Sequence, residues 1–138
     1  MKKIKALAFP VLLSCLLFCG CGKEISLAPS TDSRAAFLGN WSVQETWVKL
    51  NYEVIITADT SSKMGVFLYN FADIGFSYAP AKALVSGNTI TLDPNQSIGD
   101  NLVVRGSGTI TGTSVINWSY TISDGATQRQ VSSVFSKH

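Results

Sequence analysis

All three cysteines of the 138-residue chain lie close together near its start, at Cys15, Cys19 and Cys21. Exported proteins use cysteine mainly in disulfide pairs, and a lone exposed thiol in an oxidising compartment is a liability unless it is modified. Cleavage just before Cys21 would leave one thiol, so no internal disulfide could form. The spacing therefore favours a cysteine that carries a covalent modification.

The segment before Cys21 has the layout of an export signal. It opens on the basic "MKKIK" and continues through residues 6–17, which are apolar apart from Pro10, Ser14 and Cys15. This run is too short to span about 30 Å of hydrocarbon as a membrane anchor. We predict that residues 1–20 are a lipoprotein signal peptide that is removed from the mature protein.

Two cysteines fit the rule that a small residue precedes the lipid-bearing one. Cys15 follows Ser14 in the more typical box, "LLSC", but cleavage there would leave the apolar "LLF" at the new N-terminus. Cys21 follows Gly20, and cleavage there leaves the polar "CGKEISLAPSTDS". We predict that Cys21 carries diacylglycerol and palmitate-type acyl chains, with Cys15 as the alternative.

The residues after Cys21 predict a location and a tether. "CGKE" resembles the Lys-containing acidic tag of surface-exported lipoproteins of Bacteroidota-type bacteria, although Ile25 stands where a second acidic residue is usual. We expect a lipid anchor in the outer membrane, on either its periplasmic face or the cell surface. Residues 21–36 are small and polar and predict a tether, so residues 37–138 would form the folded domain.

Charge excludes two classes of partner. Three of the 11 Lys and Arg side chains lie in the leader, and the rest are balanced by the 9 Asp and Glu side chains. The mature chain therefore lacks a basic footprint for nucleic acid. It also lacks a polybasic patch for an anionic membrane surface.

The residues available for catalysis are few. The only histidine is His138, the last residue, which we expect to be frayed. No histidine is left to activate a serine in the body of the chain. Glu45 and Glu53 could form a carboxylate pair, as could Asp73 with Asp93 or Asp100. We expect the two glutamates to face water, or one of them to face a lumen near Arg105 or Arg129. The sequence contains no cluster of His and Cys residues of the kind that would predict a zinc site. We expect no enzyme, no metal and no cofactor.

Beyond Phe37 the chain consists of short runs of β-forming residues separated by turn residues. The alternation predicts eight strands: 41–48, 52–57, 65–71, 81–86, 89–93, 101–110, 114–122 and 127–135. The connections are too short for helical crossovers, so consecutive strands should be antiparallel. Gly106 and Gly108 lie inside a strand, as glycines do at barrel corners. We predict an all-β, eight-stranded antiparallel up-and-down barrel, a closure that removes exposed edges.

A short motif adds a family resemblance. Gly39-Asn40-Trp41, at the first strand, resembles the G-x-W motif of lipocalins and their calycin relatives. The mature domain as a whole resembles small lipocalin-like lipoproteins of Bacteroidota, through "LGNWSVQETW", "VSGNTITLDPNQ" and "INWSYTI". The resemblance implies that Trp41 plugs one end of the barrel and that an arginine late in the chain, Arg129, packs across it.

Two functions follow from this expectation. In the first, the barrel binds a small hydrophobic ligand at its mouth, with Phe71, Phe76 and Tyr78 of "NFADIGFSYAP" as the lip. In the second, the barrel is filled by its own side chains, and the protein is a non-enzymatic structural lipoprotein that docks on an envelope protein. The strands are short, and eight-stranded barrels are often just wide enough to be filled.

Overall fold

The structure, a computed structural model, describes residues 31–138. The predictions for the signal peptide, Cys15 and Cys21 lie outside the described residues. The strands are β1 (Gly39–Glu45), β2 (Asn51–Ala58), β3 (Gly65–Tyr69), β4 (Ala81–Ser86), β5 (Thr89–Leu92), β6 (Ser97–Ile98), β7 (Leu102–Thr111), β8 (Val115–Ser123) and β9 (Gln128–Lys137). A 3-10 turn at Phe71–Asp73 lies between β3 and β4. No helix among residues 31–138 is long and apolar enough to cross a membrane.

The strands form one antiparallel sheet that closes on itself. Chain neighbours pair in sequence from β1 to β5, β5 pairs with β7, and the sheet continues through β8 and β9 back to β1. The closing pair sets Trp41 opposite Lys137 and Glu45 opposite Ser133. Strand β6 is a two-residue addition on β7. The eight-stranded antiparallel barrel predicted from the sequence is confirmed, with strand ends shifted by a few residues.

Two glycines shape β7. Gly106 has a φ of +152°, and a Cβ atom there would come within 2.3 Å of the Ser119 carbonyl oxygen on β8. A Cβ atom on Gly108 would come within 2.7 Å of the Trp118 ring. The absence of side chains therefore lets β7 bend closely over β8 and leaves room for the indole. This is the barrel-corner role that the sequence predicts for interior strand glycines.

The barrel has two ends, which we call the base and the mouth. The base holds residues 31–38, where the chain enters, with the turns 59–64, 87–88 and 112–114 and the end of β9. The mouth holds the turn 46–50, the loops 70–80 and 93–101, and the turn 124–127. Inward-facing side chains from every barrel strand fill the space between the two ends and are almost fully buried.

Candidate ligand site at the mouth half of the barrel

Trp41 closes the base of the barrel. Its side chain is fully buried, and its indole N–H donates a 2.8 Å hydrogen bond to the Phe37 carbonyl. The ammonium group of Lys137 lies 5.2 Å from the centre of the ring and donates to the Ala36 carbonyl at 2.9 Å. Gly39, at φ +124°, runs so close to Lys137 that a Cβ atom would lie 3.3 Å from its Cε. The G-x-W segment is thus a structural plug.

The cation over Trp41 is Lys137, whereas the sequence resemblance predicts Arg129. Arg129 lies opposite Ile122 near the mouth, at the other end of β9, and is exposed. It borders a cleft of about 350 Å³ with Ala72 and Asp124. Arg129 and Lys137 are an even number of residues apart in β9, so their side chains lie on the same face of the strand. Strand alternation alone therefore could not predict which of them covers Trp41. The choice follows from the pairing of Trp41 with Lys137.

A second base contact was not predicted. Arg34, in the stretch assigned to the tether, donates from Nη1 to the carbonyls of Asp59, Ser62 and Gly65 at 2.9, 2.7 and 2.9 Å. The same guanidinium binds the Asp32 carboxylate, and these hydrogen bonds hold the pKa of Asp32 at about 2. The chain is therefore fastened to the base before β1 begins.

The structure divides the three residues predicted as a ligand-binding lip. Phe71 is fully buried and points into the barrel, whereas Phe76 and Tyr78 are exposed by 51% and 39%. The Phe71 ring centre lies 5.2 Å from that of Trp118, 4.8 Å from Tyr120 and 6.3 Å from Phe135. The Tyr78 hydroxyl donates to the Asp100 carboxylate at 3.2 Å, joining two mouth loops. Only Phe76 and Tyr78 therefore form a lip.

An unusual backbone directs Phe71 inward. Asn70, Ala72 and Asp73 have φ values of +60°, +58° and +56°. These values lie in the left-handed region of backbone conformation, which residues other than glycine adopt uncommonly. Asn70 stabilises the bend because its amide donates to the Glu53 carbonyl at 2.8 Å and its side-chain oxygen accepts from Gly75 N–H at 2.6 Å. Ala72 has no polar side chain that could compensate for its conformation.

The mouth half of the lumen contains a buried carboxylate. The Glu45 side chain points inward and is only 3% exposed. The hydroxyls of Tyr52 and Tyr120 each donate to its Oε1 atom at 3.1 Å. Burial raises the pKa of both hydroxyls. The nearby Tyr120 and then Glu45 raise the pKa of Tyr52 further, and Glu45 raises that of Tyr120, so both tyrosines stay neutral donors. The three groups form a hydrogen-bonding cluster in the lumen.

Two further polar atoms beside this cluster lack partners. Trp118 Nε1 and Ser133 Oγ are buried, and neither makes a hydrogen bond within residues 31–138. Ser133 lies opposite Glu45 on β1 and opposite Trp118 on β8, so all three share one patch of the barrel wall. Unpaired buried polar groups are costly and are often satisfied by a bound molecule or a water. The patch can therefore donate and accept hydrogen bonds beyond those already formed.

Glu45 and Glu53 do not form the candidate carboxylate pair, in line with the expectation that they face water or that one of them faces the lumen. Glu45 and Glu53 lie on adjacent strands, but Glu45 faces the lumen and Glu53 faces solvent on the outer wall. Arg105 is exposed and donates to the Pro94 carbonyl at 3.3 Å, away from Glu45. The sequence pattern could place one glutamate inward. It could not show that tyrosine hydroxyls, rather than an arginine, would meet it.

We expected His138 to be frayed, but contacts hold it against the outer wall of the barrel. Its main-chain N–H donates to the Asn40 carbonyl at 3.3 Å, and its ring Nε2 contacts the Ser42 hydroxyl and lies 3.8 Å from Glu53. Both side-chain contacts use the same ring nitrogen, whereas a catalytic triad needs the carboxylate on the other one. The three groups lie on the outer wall. Within residues 31–138 no group of three or more His, Cys, Asp or Glu side chains could hold a metal ion.

Comparison with known proteins supports the fold. The chain matches no protein-family model, and no curated protein matches it. Similar solved structures include EF1p2_mFAP2b bound to DFHBI, with 14% identity, a TM-score of 0.55 and coverage of 78% of this chain and 100% of that one. They also include a redesigned β-barrel, b11L5F_LGL, with 14% identity, a TM-score of 0.51 and coverage of 79% and 97%. The chain is therefore a small β-barrel protein.

Proposed function

We propose that this protein is a lipid-anchored lipoprotein of the outer membrane, on its periplasmic face or at the cell surface, whose barrel binds a small, largely apolar ligand through its mouth. The observation that carries the proposal is the polar patch in the mouth half of the lumen. Ligand sites in proteins are mostly apolar with a few convergent polar groups. Glu45, Tyr52, Tyr120, Ser133 and Trp118 supply such groups within an aromatic surround.

The position of the chain entry supports this arrangement. Arg34 and Phe37 fasten the N-terminal residues to the base of the barrel. An anchor joined to this end would leave the mouth loops at the opposite end of the barrel, accessible to a ligand. The barrel neighbour bound to DFHBI is a precedent for a small ligand on this fold. The role is binding without catalysis, in line with a His138 that lies exposed on the outer wall.

The test of ligand binding uses the exposed lip. The full chain is titrated with N-phenyl-1-naphthylamine, an apolar fluorescent probe, and binding is followed through tryptophan quenching. We expect Phe76→Ser with Tyr78→Ser to abolish binding while changing the free energy of unfolding by less than about 1 kcal/mol, because exposed residues bury little surface. Leu84→Ser on the outer wall, where Leu84 is 54% exposed, is the matched control and should bind normally. A wild type that binds no apolar probe would contradict the proposal.

The anchor is tested by mass spectrometry of the mature N-terminus. We expect an acylated Cys21, retained in the membrane fraction because several buried acyl chains release very slowly. Cys21→Ala should give a soluble or uncleaved protein, whereas Cys15→Ala should remain membrane-bound. Acylation at Cys15, or an unmodified N-terminus, would contradict the assignment.

A docking role is the second candidate, and one observation favours it. The turn 46–50 carries Trp47, Val48 and Leu50, which are exposed by 85%, 48% and 39% at the mouth. Aromatic residues are enriched at protein interfaces, and the lumen is already filled by its own side chains. A photo-crosslinking amino acid at position 47, compared with one at position 84, would test this role. One reproducible envelope protein captured only at position 47, and lost on Leu50→Ser, would support docking.

A further inference from the structure

The interior of the barrel contains an aromatic ring that comes from a loop, not from the wall. Phe71 enters from the mouth and packs its ring between Trp118, Tyr120 and Phe135. The other large side chains of the lumen belong to strands or to the base, and their positions are fixed by strand pairing or by the Trp41 plug. Phe71 is therefore the one aromatic in this cluster that can leave without breaking the sheet.

The loop holds Phe71 inward at a conformational cost. Three residues around it, Asn70, Ala72 and Asp73, have left-handed backbone conformations. Non-glycine residues persist in such conformations only when their surroundings enforce them. Here the enforcing contacts are the Asn70 hydrogen bonds and the packing of Phe71 itself. Loss of the packing would release the strain, so the inward and outward loop states are closer in free energy than for an unstrained loop.

The ring lies against the unsatisfied polar patch. Phe71 packs against the rings of Trp118 and Tyr120. Trp118 Nε1 is buried without a hydrogen bond, and the Tyr120 hydroxyl is buried against Glu45. Trp118 Nε1 has a hydrogen to donate, and Ser133 Oγ can donate and accept. Both hydrogen bonds to Glu45 end on Oε1. A phenylalanine ring satisfies none of these groups, whereas a ring that carries a hydroxyl or an amine would satisfy some of them.

We infer that Phe71 occupies the place of the ligand, and that the ligand is a molecule with a single aromatic ring bearing one hydrogen-bonding group. On binding, Phe71 swings out with its loop. The ligand ring then packs on Trp118, Tyr120 and Phe135, and its polar group pairs with the patch of Glu45, Ser133 and Trp118. This inference rests on the proposed ligand-binding function and adds the ligand class and the device that gates the site.

Phenol is the probe, and its apolar isostere toluene is the comparison. The full chain is labelled with 15N-tryptophan, and the three indole N–H signals are assigned with Trp118→Phe and Trp47→Phe. Phenol should shift the Trp118 signal and leave the Trp41 signal unmoved, because Trp41 is bonded to the Phe37 carbonyl at the base. Phenol should also bind about tenfold more tightly than toluene, although toluene is the more apolar molecule, since one good hydrogen bond accounts for such a factor. Toluene binding as tightly as phenol would overturn the inference.

Removal of the Phe71 ring gives a second test of the inference. We expect Phe71→Ala to bind phenol about tenfold more tightly than the wild type, because the site no longer has to be vacated first. Phe71→Leu keeps a branched apolar side chain and should gain affinity by a smaller factor, so the test survives if Phe71→Ala does not fold. Leu84→Ala truncates a side chain on the outer wall, where Leu84 is 54% exposed, and should leave the affinity unchanged. A gain in Leu84→Ala, or none in either Phe71 variant, would overturn the inference.

The two proposals fail separately. If N-phenyl-1-naphthylamine binds at the lip but phenol never moves the Trp118 signal, the ligand-binding function stands and the role of Phe71 is wrong. If neither molecule binds the wild type or any Phe71 variant, both are wrong.

Discussion

Trp41 is the single residue whose loss should cost the barrel most. Its indole is fully buried, hydrogen-bonded to Phe37 and covered by Lys137. Truncation of a buried aromatic typically costs about 3–5 kcal/mol, so we expect Trp41→Ala to lower the free energy of unfolding by that amount. Denaturant titration measures it. Trp47→Ala, at the exposed mouth turn, should change it by less than about 0.5 kcal/mol. A loss below about 1 kcal/mol for Trp41→Ala would show that the plug does not support the base.

The buried tyrosines predict a pH dependence. Burial, followed by neighbouring groups that include Glu45, raises the pKa of Tyr52 and Tyr120 in the folded state. A group whose folded-state pKa exceeds its unfolded value stabilises the fold fully below the unfolded pKa, about 10 for tyrosine, and loses that contribution as pH rises toward the folded pKa. The free energy of unfolding should therefore fall above about pH 10, and less steeply in Tyr52→Phe. Urea titrations from pH 8 to 12 compare the two proteins. Equal slopes would contradict the assignment.

Sequence reasoning at the residue scale succeeded where strand alternation decided the outcome. Alternation left one glutamate free to face the lumen, whereas the placement of Trp41 inside was implied by the family resemblance. Sequence reasoning failed where the outcome depended on register or loop path. The cation over Trp41 depends on which β9 residue pairs with it, and Phe71 differs from Phe76 because of a backbone bend that begins at Asn70. Neither feature has a periodic signal. Tyrosines at alternate inward positions facing Glu45 were the one signal that could have revealed the buried cluster.

Strand β7 is the element most constrained by its backbone. Gly106 combines a positive φ with contact against the β8 main chain, whereas Gly112, in the turn after β7, has φ +63° and no atom within 4 Å of the point where a Cβ atom would lie. We expect Gly106→Ala to destabilise the barrel by on the order of 3 kcal/mol, from backbone strain and overpacking together. Gly112→Ala meets only the strain of its φ, about 1–2 kcal/mol.

Thermal and denaturant unfolding of the two glycine variants separates these causes. A smaller cost for Gly106→Ala than for Gly112→Ala would mean that β7 and β8 can move apart at this point. The sequence showed that glycines interrupt the strand and that they would bend it. It did not show that Gly108 makes room for the Trp118 ring, because that contact depends on the pairing of β7 with β8.

The number and direction of the strands follow from the sequence because every connection between barrel strands is short or lacks a helix of useful length. Consecutive strands must then be antiparallel, because parallel neighbours need long crossover connections that are usually helical. The pairing of β5 with β7 past the two-residue β6, and the closure of β1 on β9, join residues far apart in the chain. Such long-range pairings cost loop entropy before they stabilise the fold, so the barrel should fold on the slow side, in milliseconds to seconds.

Closure of the barrel predicts that the position of the chain ends can be moved. His138 N–H donates to the Asn40 carbonyl at 3.3 Å, and Lys137 reaches Ala36, so both ends of the described chain lie at the base. A circular permutant would join His138 to Thr31 through a short Gly/Ser linker and open the chain at Gly125, an exposed turn residue with no neighbour within 4 Å of a Cβ position.

We expect this permutant to fold, because chain breaks are tolerated at exposed turns and because every pair of strands in the ring is kept. Near-ultraviolet circular dichroism should match that of the wild type, and unfolding should remain cooperative. A matched permutant opened at Gly106 cuts β7 in the middle of its pairing with β8 and next to its pairing with β5, and it should not fold. If the Gly125 permutant fails as well, the β8–β9 turn is required for closure, and strand pairing alone does not hold the ring together.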